Sequence, residues 1–455
     1  MRESVGIILA AWVLAAPMAA VAEATEPVDR LATALEETWR TNPDLEAARA
    51  RLRAVAEGVP QALAGFRPRL FVNGSVDATT GRSKSETGVE TDLDNGGASA
   101  ALSLRQNLYA GGGTTAAVRA AEATLEAERF RLVDTTQNVF LAAVEAYVAV
   151  WRDRHVLRLA RRNRDRLVRH LEATRDRFRV GEVTRTDVAQ AEARLEQAKA
   201  EVERARADVA AAEARFLRTV GRPAAEALAE PAEPADLPAK LDDALARTDG
   251  HPLIRAAAAD LRAAAAGVDA AFAVLLPSLD AEATLAYADD PSSLVDWQRS
   301  ATVRLSVTVP LFQGGGEYAR VREARRSREA ARRALDSVRR EVQRRARTAW
   351  ERLRAARAAT RAFEAQVAAN RVALEGVQQE AMVGARTVLD VLDAEQELFQ
   401  SEVNLVRARG DRILAGYELL AALGELRPGR LGLAGTVPDP TDYARRVRGR
   451  LFGLD

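Results

Sequence analysis

The sequence predicts a mainly α-helical, internally duplicated chain carrying two pairs of membrane-length amphipathic β-strands. Three observations predict it. The chain is written twice: Pro43, Gly58 and Pro68 recur as Pro252, Gly267 and Pro277, and NLYAGGG at 107–113 recurs as PLFQGGG at 310–316. Two stretches, 114–179 and 317–381, are rich in Ala, Arg, Glu and Leu and hold no proline, which reads as very long helix. Ahead of each long stretch lie segments of strict apolar/polar alternation, the pattern of a strand with one apolar and one polar face.

Composition narrows the function. Among 455 residues, 66 Lys and Arg balance 65 Asp and Glu, and cysteine is absent. No disulfide framework, thiolate metal site or cysteine nucleophile is possible. A net charge of +1 argues against a bulk polyanion as partner. The Arg clusters at 152–169 and 320–347 have acids interleaved and read as solvated helix faces rather than a nucleic-acid surface. His155, His170 and His251 are scattered without paired-ligand spacing, so neither a metal nor a cofactor is expected. The glycine triplets lie outside any phosphate-loop pattern. No nucleophile–base constellation presents itself, so the chain is not expected to be an enzyme.

The first element is a secretory leader at 1–22: Arg2 is followed by an apolar stretch, and Ala20-Val21-Ala22 matches small-x-small cleavage. Beyond it no apolar run is long enough for a transmembrane helix. Any passage through a membrane must therefore use β-strands.

The first repeat covers 23–222. A lead-in helix over 29–66 precedes two strands, then the glycine triplet, the long helix and a return helix. Leu70, Val72 and Val76 alternate with polar residues, as do Leu102 and Leu104. A Pro-rich linker at 223–240 joins the second repeat, 241–424, with its lead-in helix at 241–275. There Leu279, Ala281, Ala283, Leu285 and Tyr287 form one apolar edge, and Val303, Leu305, Val307 and Val309 the other. The segments between paired strands, 82–97 and 289–300, read as polar loops. Runs of about ten residues have the length of a transmembrane strand; a half-buried antiparallel sheet on a helical core writes the same alternation. Four strands are too few to close a barrel, so the chain needs partners.

Each long helix spans roughly 100 Å at 1.5 Å per residue. The first return helix carries Val188, Ala191, Leu195, Ala198, Val202, Ala205, Val209, Ala212 and Phe216 at 3-4 spacing, a coiled-coil stripe. The second keeps Val391, Ala394, Leu398, Ser401, Leu405 and Ala408 and loses the stripe at Arg412. The tail, 425–455, has no clear periodicity.

The turns between long and return helices are the candidate functional residues. Gly181 and Gly384 sit where a helix must reverse and the left-handed conformation is needed. Thr186 with Asp187, and Thr387 with Asp390, read as helix-start residues. Asp390 and Asp393 are spaced i, i+3 and share one helix face.

Together the duplicated lead-in proline, RPRL and LPSL, NLYAGGG and PLFQGGG, and the turns FRVGEVTRTDV and MVGARTVLDVLDA resemble the TolC family of outer-membrane efflux ducts. The match runs to about residue 424. The resemblance implies a homotrimer in which three chains give four strands each to one twelve-stranded barrel, continued by a long periplasmic α-helical barrel. It implies outer-membrane localisation and a passive exit duct for efflux or type I secretion, served by a periplasmic adaptor and an inner-membrane ABC or proton-driven transporter. It places Asp390 and Asp393 at the pore constriction and Arg386, Thr186 and Asp187 in a gate network. Val180, Gly181, Val183, Val383, Gly384 and Ala385 become adaptor-docking tips. Where the family pattern puts a gate tyrosine, this chain has Ala381. A periplasmic adaptor or coiled-coil structural protein is the alternative; membrane-length two-faced strands tell against it.

Overall fold

The computed structural model describes residues 29–292, 295–433 and 441–453; the leader lies outside them. The first repeat runs α1 (Leu31–Thr41), α2 (Pro43–Ala56), α3 (Gly58–Leu63), β1 (Arg69–Lys84), β2 (Glu90–Ala110), α4 (Gly113–Arg179) and α5 (Arg185–Val220). The second runs α6 (Leu241–Arg247), α7 (Pro252–Ala273), β3 (Ser278–Ser292), β4 (Val295–Thr308), α8 (Gly316–Met382) and α9 (Val388–Ala422). A short α10 (Thr441–Val447) follows.

Helices α4 and α8 have 67 residues each, about 100 Å of unbroken helix. The return helices α5 and α9 are half as long, and lead-in helices continue them end to end. The junctions are built from matched residues. Asn42 Oδ1 accepts from the Asp44 and Leu45 amides, capping α2, while its Nδ2 donates to the Thr219 carbonyl near the end of α5. His251, its repeat counterpart, accepts the Leu253 amide on Nδ1 at 3.1 Å, capping α7, and bonds the Ala421 carbonyl of α9. One side chain thus satisfies an orphan donor of one helix and an orphan acceptor of the next. The following Pro43 and Pro252 lack only the amide that a first helical turn leaves unpaired.

Buried side chains run as a seam along the helices. Ala191, Leu195, Ala198, Val202, Ala205, Ala212 and Phe216 of α5 are buried against α4. Where the stripe of α9 fails at Arg412, the buried side shifts to Ile413, Tyr417, Leu419 and Leu420. The reason is the linker, which lies there as a strap. Glu233 pairs with Arg357 and Arg412, and Gly416 sits so close to Pro234 that a Cβ would lie 2.8 Å from its ring. The strap is also held from α4: buried Tyr147 donates from its hydroxyl to the Asp29 and Ala229 carbonyls at 2.8 and 2.9 Å. The tail docks on the lead-in helices and on α4, with Tyr443 bonded to Glu57 and Arg448 to Glu122.

The four strands form one antiparallel sheet in the order β1-β2-β3-β4. Rows across it run Val72–Leu102–Leu285–Ala301 and Leu70–Leu104–Ala283–Val303, so the alternations of all four strands fall on one face. The opposite face carries Arg105 bonded to Glu282 and Asn107 bonded to Asp280. Neither face is covered within the protomer: Val72 is 76% exposed and Val303 86%. A register shift at Asn107/Tyr109 turns Tyr109 onto the apolar face opposite Leu279.

The expected loops at 82–97 and 289–300 are instead mostly strand. β1 and β2 pair through Lys84↔Glu90, and β3 and β4 through Ser292↔Val295. In the first hairpin the extension is a polar ladder, held by Arg82–Asp92 at 2.6 Å and Lys84–Glu90 at 3.1 Å. A strand with no apolar face leaves no alternation in the sequence. The first hairpin is also the longer. Arg69 pairs with Arg105, and the matching Ser278 pairs with Thr308 after six fewer residues.

Candidate gate at the helical tips

The long helices carry two hairpin turns about 100 Å from the sheet. Both close identically. In the first, the Gly181 amide donates to the Phe178 carbonyl and that of Glu182 to Arg177; in the second, Gly384 donates to Ala381 and Ala385 to Glu380. Each pair of bonds satisfies carbonyls at a helix end. It requires the left-handed backbone of Gly181 (φ 82°) and Gly384 (φ 77°). Val180, Val183, Val383 and Ala385 surround these glycines; Val180 and Val383 are exposed.

The return helices then start with capping boxes. Thr184 donates from its amide and hydroxyl to Asp187 Oδ2 at 2.7 and 2.8 Å, and its Oγ1 accepts the Asp187 amide at 3.3 Å. Thr387 and Asp390 repeat the arrangement at 2.9, 2.8 and 3.2 Å. The cap of α5 is therefore Thr184 and not Thr186, which lies inside the first turn. A box needs its hydroxyl three residues ahead of its acid, and Thr184–Asp187 has the spacing of Thr387–Asp390. That spacing was the available signal.

The charged candidates of the tip are engaged within the protomer. The Thr387 amide and hydroxyl, then the charge of Arg386, hold the Asp390 carboxyl below the usual carboxylate range. Asp393 pairs with Arg194 of α5 at 2.6 Å, tying the two return helices together. Arg386 pairs with Glu380 at 2.7 Å across its own turn, so within one protomer it makes no bond to Thr186 or Asp187. Above this layer Leu167, Leu171, Ala191, Leu195 and Leu392 form an apolar cluster joining α4, α5 and α9. Next to it His170 of α4 meets Glu395 of α9 at 2.8 Å, with the Glu395 side chain 3% exposed. Arg194–Asp393 and His170–Glu395 left no trace in the sequence, because each joins one repeat to the other.

A wall of paired long helices, with capped tips at one end and an open sheet of one apolar and one polar face at the other, defines a duct-forming protomer of a membrane channel. The chain matches the outer membrane efflux protein family over residues 34–222 and 241–425 and belongs to it; it is an exit duct of the outer membrane, in a family of channels rather than enzymes. It is 33% identical to outer membrane efflux protein BepC of Brucella suis, across 94% of this chain and 92% of that one. It is 28% identical to alkaline protease secretion protein AprF of Pseudomonas aeruginosa, across 72% and 69%. The fold is that of the Campylobacter jejuni CmeC outer membrane channel, with TM-score 0.79 at 14% identity over 92% and 89% of the chains. A membrane protein from Pseudomonas aeruginosa gives TM-score 0.78 at 20% identity over 88% and 92%.

Proposed function

We propose that three copies of the chain close one twelve-stranded barrel and one helical tunnel, and that the tunnel is gated at the tips. The observation that carries this is the open sheet. Four strands expose both an apolar and a polar face, and eight is the smallest usual number for a closed membrane barrel. Closure by identical copies places lipid on the Val72–Val303 face and water on the Arg105–Glu282 face.

In that trimer Asp390 and Asp393 form two carboxylate rings at the constriction. The capping bonds that hold Asp390 ionised keep its ring anionic in neutral and mildly acid surroundings, which favours cations. Arg386, Thr186 and Asp187 form the gate network between neighbouring protomers, with Ala381 contributing no hydrogen bond to it. Within each protomer Arg194–Asp393 adds an intramolecular latch. Val180, Gly181, Val183, Val383, Gly384 and Ala385 present a small, apolar rim suited to the helical hairpin of a periplasmic adaptor. The adaptor in turn connects to an inner-membrane ABC or proton-driven transporter. The duct itself is passive, with no catalytic step and no cofactor.

Single-channel recording in planar bilayers tests the reading. Wild-type protein is expected to give small cation-selective steps, and Asp390→Asn with Asp393→Asn to lose that selectivity. Selectivity unchanged in the double variant would move the constriction elsewhere. Absence of any channel insertion would overturn the duct.

A further inference from the structure

Apart from Gln106 beside Ala281, the lipid-side face of the sheet is apolar from its helical end up to one row, and there it carries an arginine. Arg299 stands on β4 in alternation with Ala301, Val303, Leu305 and Val307, directly opposite Tyr287 of β3. Its guanidinium carbon lies 5.7 Å from the centre of the Tyr287 ring and 5.1 Å from that of Trp297. Among the described residues it makes no ion pair. Asp289, the carboxylate on the same face, accepts the Tyr287 hydroxyl at 3.2 Å instead.

Its height is set by the strand. Arg299 precedes Val309, the last alternating apolar residue, by ten positions. At about 3.4 Å per residue and roughly 40° of tilt, that is near 26 Å, the height of the apolar band of a membrane barrel. Tyr109, Leu311 and Phe312 stand exposed at the helical end, so Tyr287 and Trp297 belong to the girdle at the external interface. A guanidinium at that depth, flanked by two rings, faces the headgroup layer rather than hydrocarbon. The neighbouring copy's β1 brings no counter-charge: its alternating residues on this face are Leu70, Val72, Gly74, Val76, Ala78 and Thr80, followed by the cations Arg82 and Lys84. Beneath Arg299 a groove of about 570 Å³ runs toward the helical end, with Ala100 and Ala301 between the larger Leu102, Leu285 and Tyr287.

We propose that Arg299, Tyr287 and Trp297 bind the phosphate of an anionic lipid in the external leaflet, with one acyl chain lying in the groove. The guanidinium supplies a two-pronged donor matched to phosphate oxygens. The rings fix its plane, and the alanines leave room for the chain. The site rests on the lipid placement of this face and not on the gate.

Full-chain protein would be placed in phosphatidylcholine nanodiscs doped with bis-phosphorylated lipid A, and retained lipids counted by native mass spectrometry. Wild-type protein is expected to retain lipid A in preference to phosphatidylcholine. Arg299→Ala is expected to lower that retention about tenfold, the loss of one charge-assisted contact, with phosphatidylcholine retention unchanged. Arg299→Lys should keep an intermediate preference; Arg299→Gln carries the test if the alanine variant does not assemble. Equal lipid A retention in wild type and Arg299→Ala or Arg299→Gln would overturn the site. Full displacement of lipid A by millimolar inorganic phosphate would also overturn it, because the groove would then add nothing. Loss of both lipids in wild type would overturn the membrane placement of the sheet, and the site with it.

Discussion

Helices α4 and α8 occupy matching places in the two repeats, yet they are buried differently. Both turn one stripe toward their return helix: Val139, Ala143, Ala146 and Val150 in α4 correspond to Val342, Ala346, Ala349 and Leu353 in α8, all buried. On α4 a second stripe, Phe140, Val144, Tyr147, Val148 and Trp151, is buried as well. The corresponding positions of α8 are Gln343, Arg347, Trp350, Glu351 and Arg354. Duplication therefore reproduced a backbone and one seam, while the second face diverged. In α4 that face packs on α1, the strap, α5 and α9 and forms the centre of the protomer. In α8 it is charged and open apart from half-buried Trp350, leaving it to face water or a neighbouring copy.

The largest expected effect breaks this asymmetry directly. Phe140→Ala should destabilise the protomer by about 3–5 kcal/mol, whereas Gln343→Ala should stay within about 0.5 kcal/mol. Thermal unfolding followed by helical circular dichroism compares the two; equal shifts would mean that α8 is as deeply packed as α4.

The helix junctions sharpen the comparison through pH. Burial, opposed by the Ala421 carbonyl and reinforced by Arg345 and Arg427, lowers the His251 pKa to about 4. The folded form thus binds its proton less readily than the unfolded one. Stability from this group is complete above the ordinary histidine range and falls as pH drops from about 6.5 toward 4, by up to roughly 3 kcal/mol. His251→Asn, which copies the Asn42 junction, should flatten that part of the profile. A profile identical to wild type would show that the second junction does not titrate.

The smallest effect concerns the tips, where the repeats agree. Thr184→Ala and Thr387→Ala should each cost about 1 kcal/mol through the lost cap, while Thr186→Ala should cost less. Urea unfolding of the three variants separates them; a loss at Thr186 equal to that at Thr184 would contradict the capping geometry.

How much of this was legible follows from where each signal resides. The duplication, the seam of α5 and the alternation of Val303, Leu305 and Val307 are periodicities along one segment, and they read directly. The glycine turns read because only Gly181 and Gly384 suit that backbone. Strand extension to Lys84 did not read, since a polar ladder has no apolar period. The Thr184 cap was legible only by aligning it to Thr387. Asp393–Arg194 and His170–Glu395 lie between elements distant in sequence, and only the packing brings them together.

The unequal hairpins have a consequence at the cell surface. Six additional residues, about three per strand, carry the β1–β2 tip roughly 10 Å along the strand beyond its β3–β4 counterpart. The external rim of the duct is then scalloped rather than level. Arg82, Lys84, Glu90 and Asp92 stand on that projecting part and make its edge a band of paired charges.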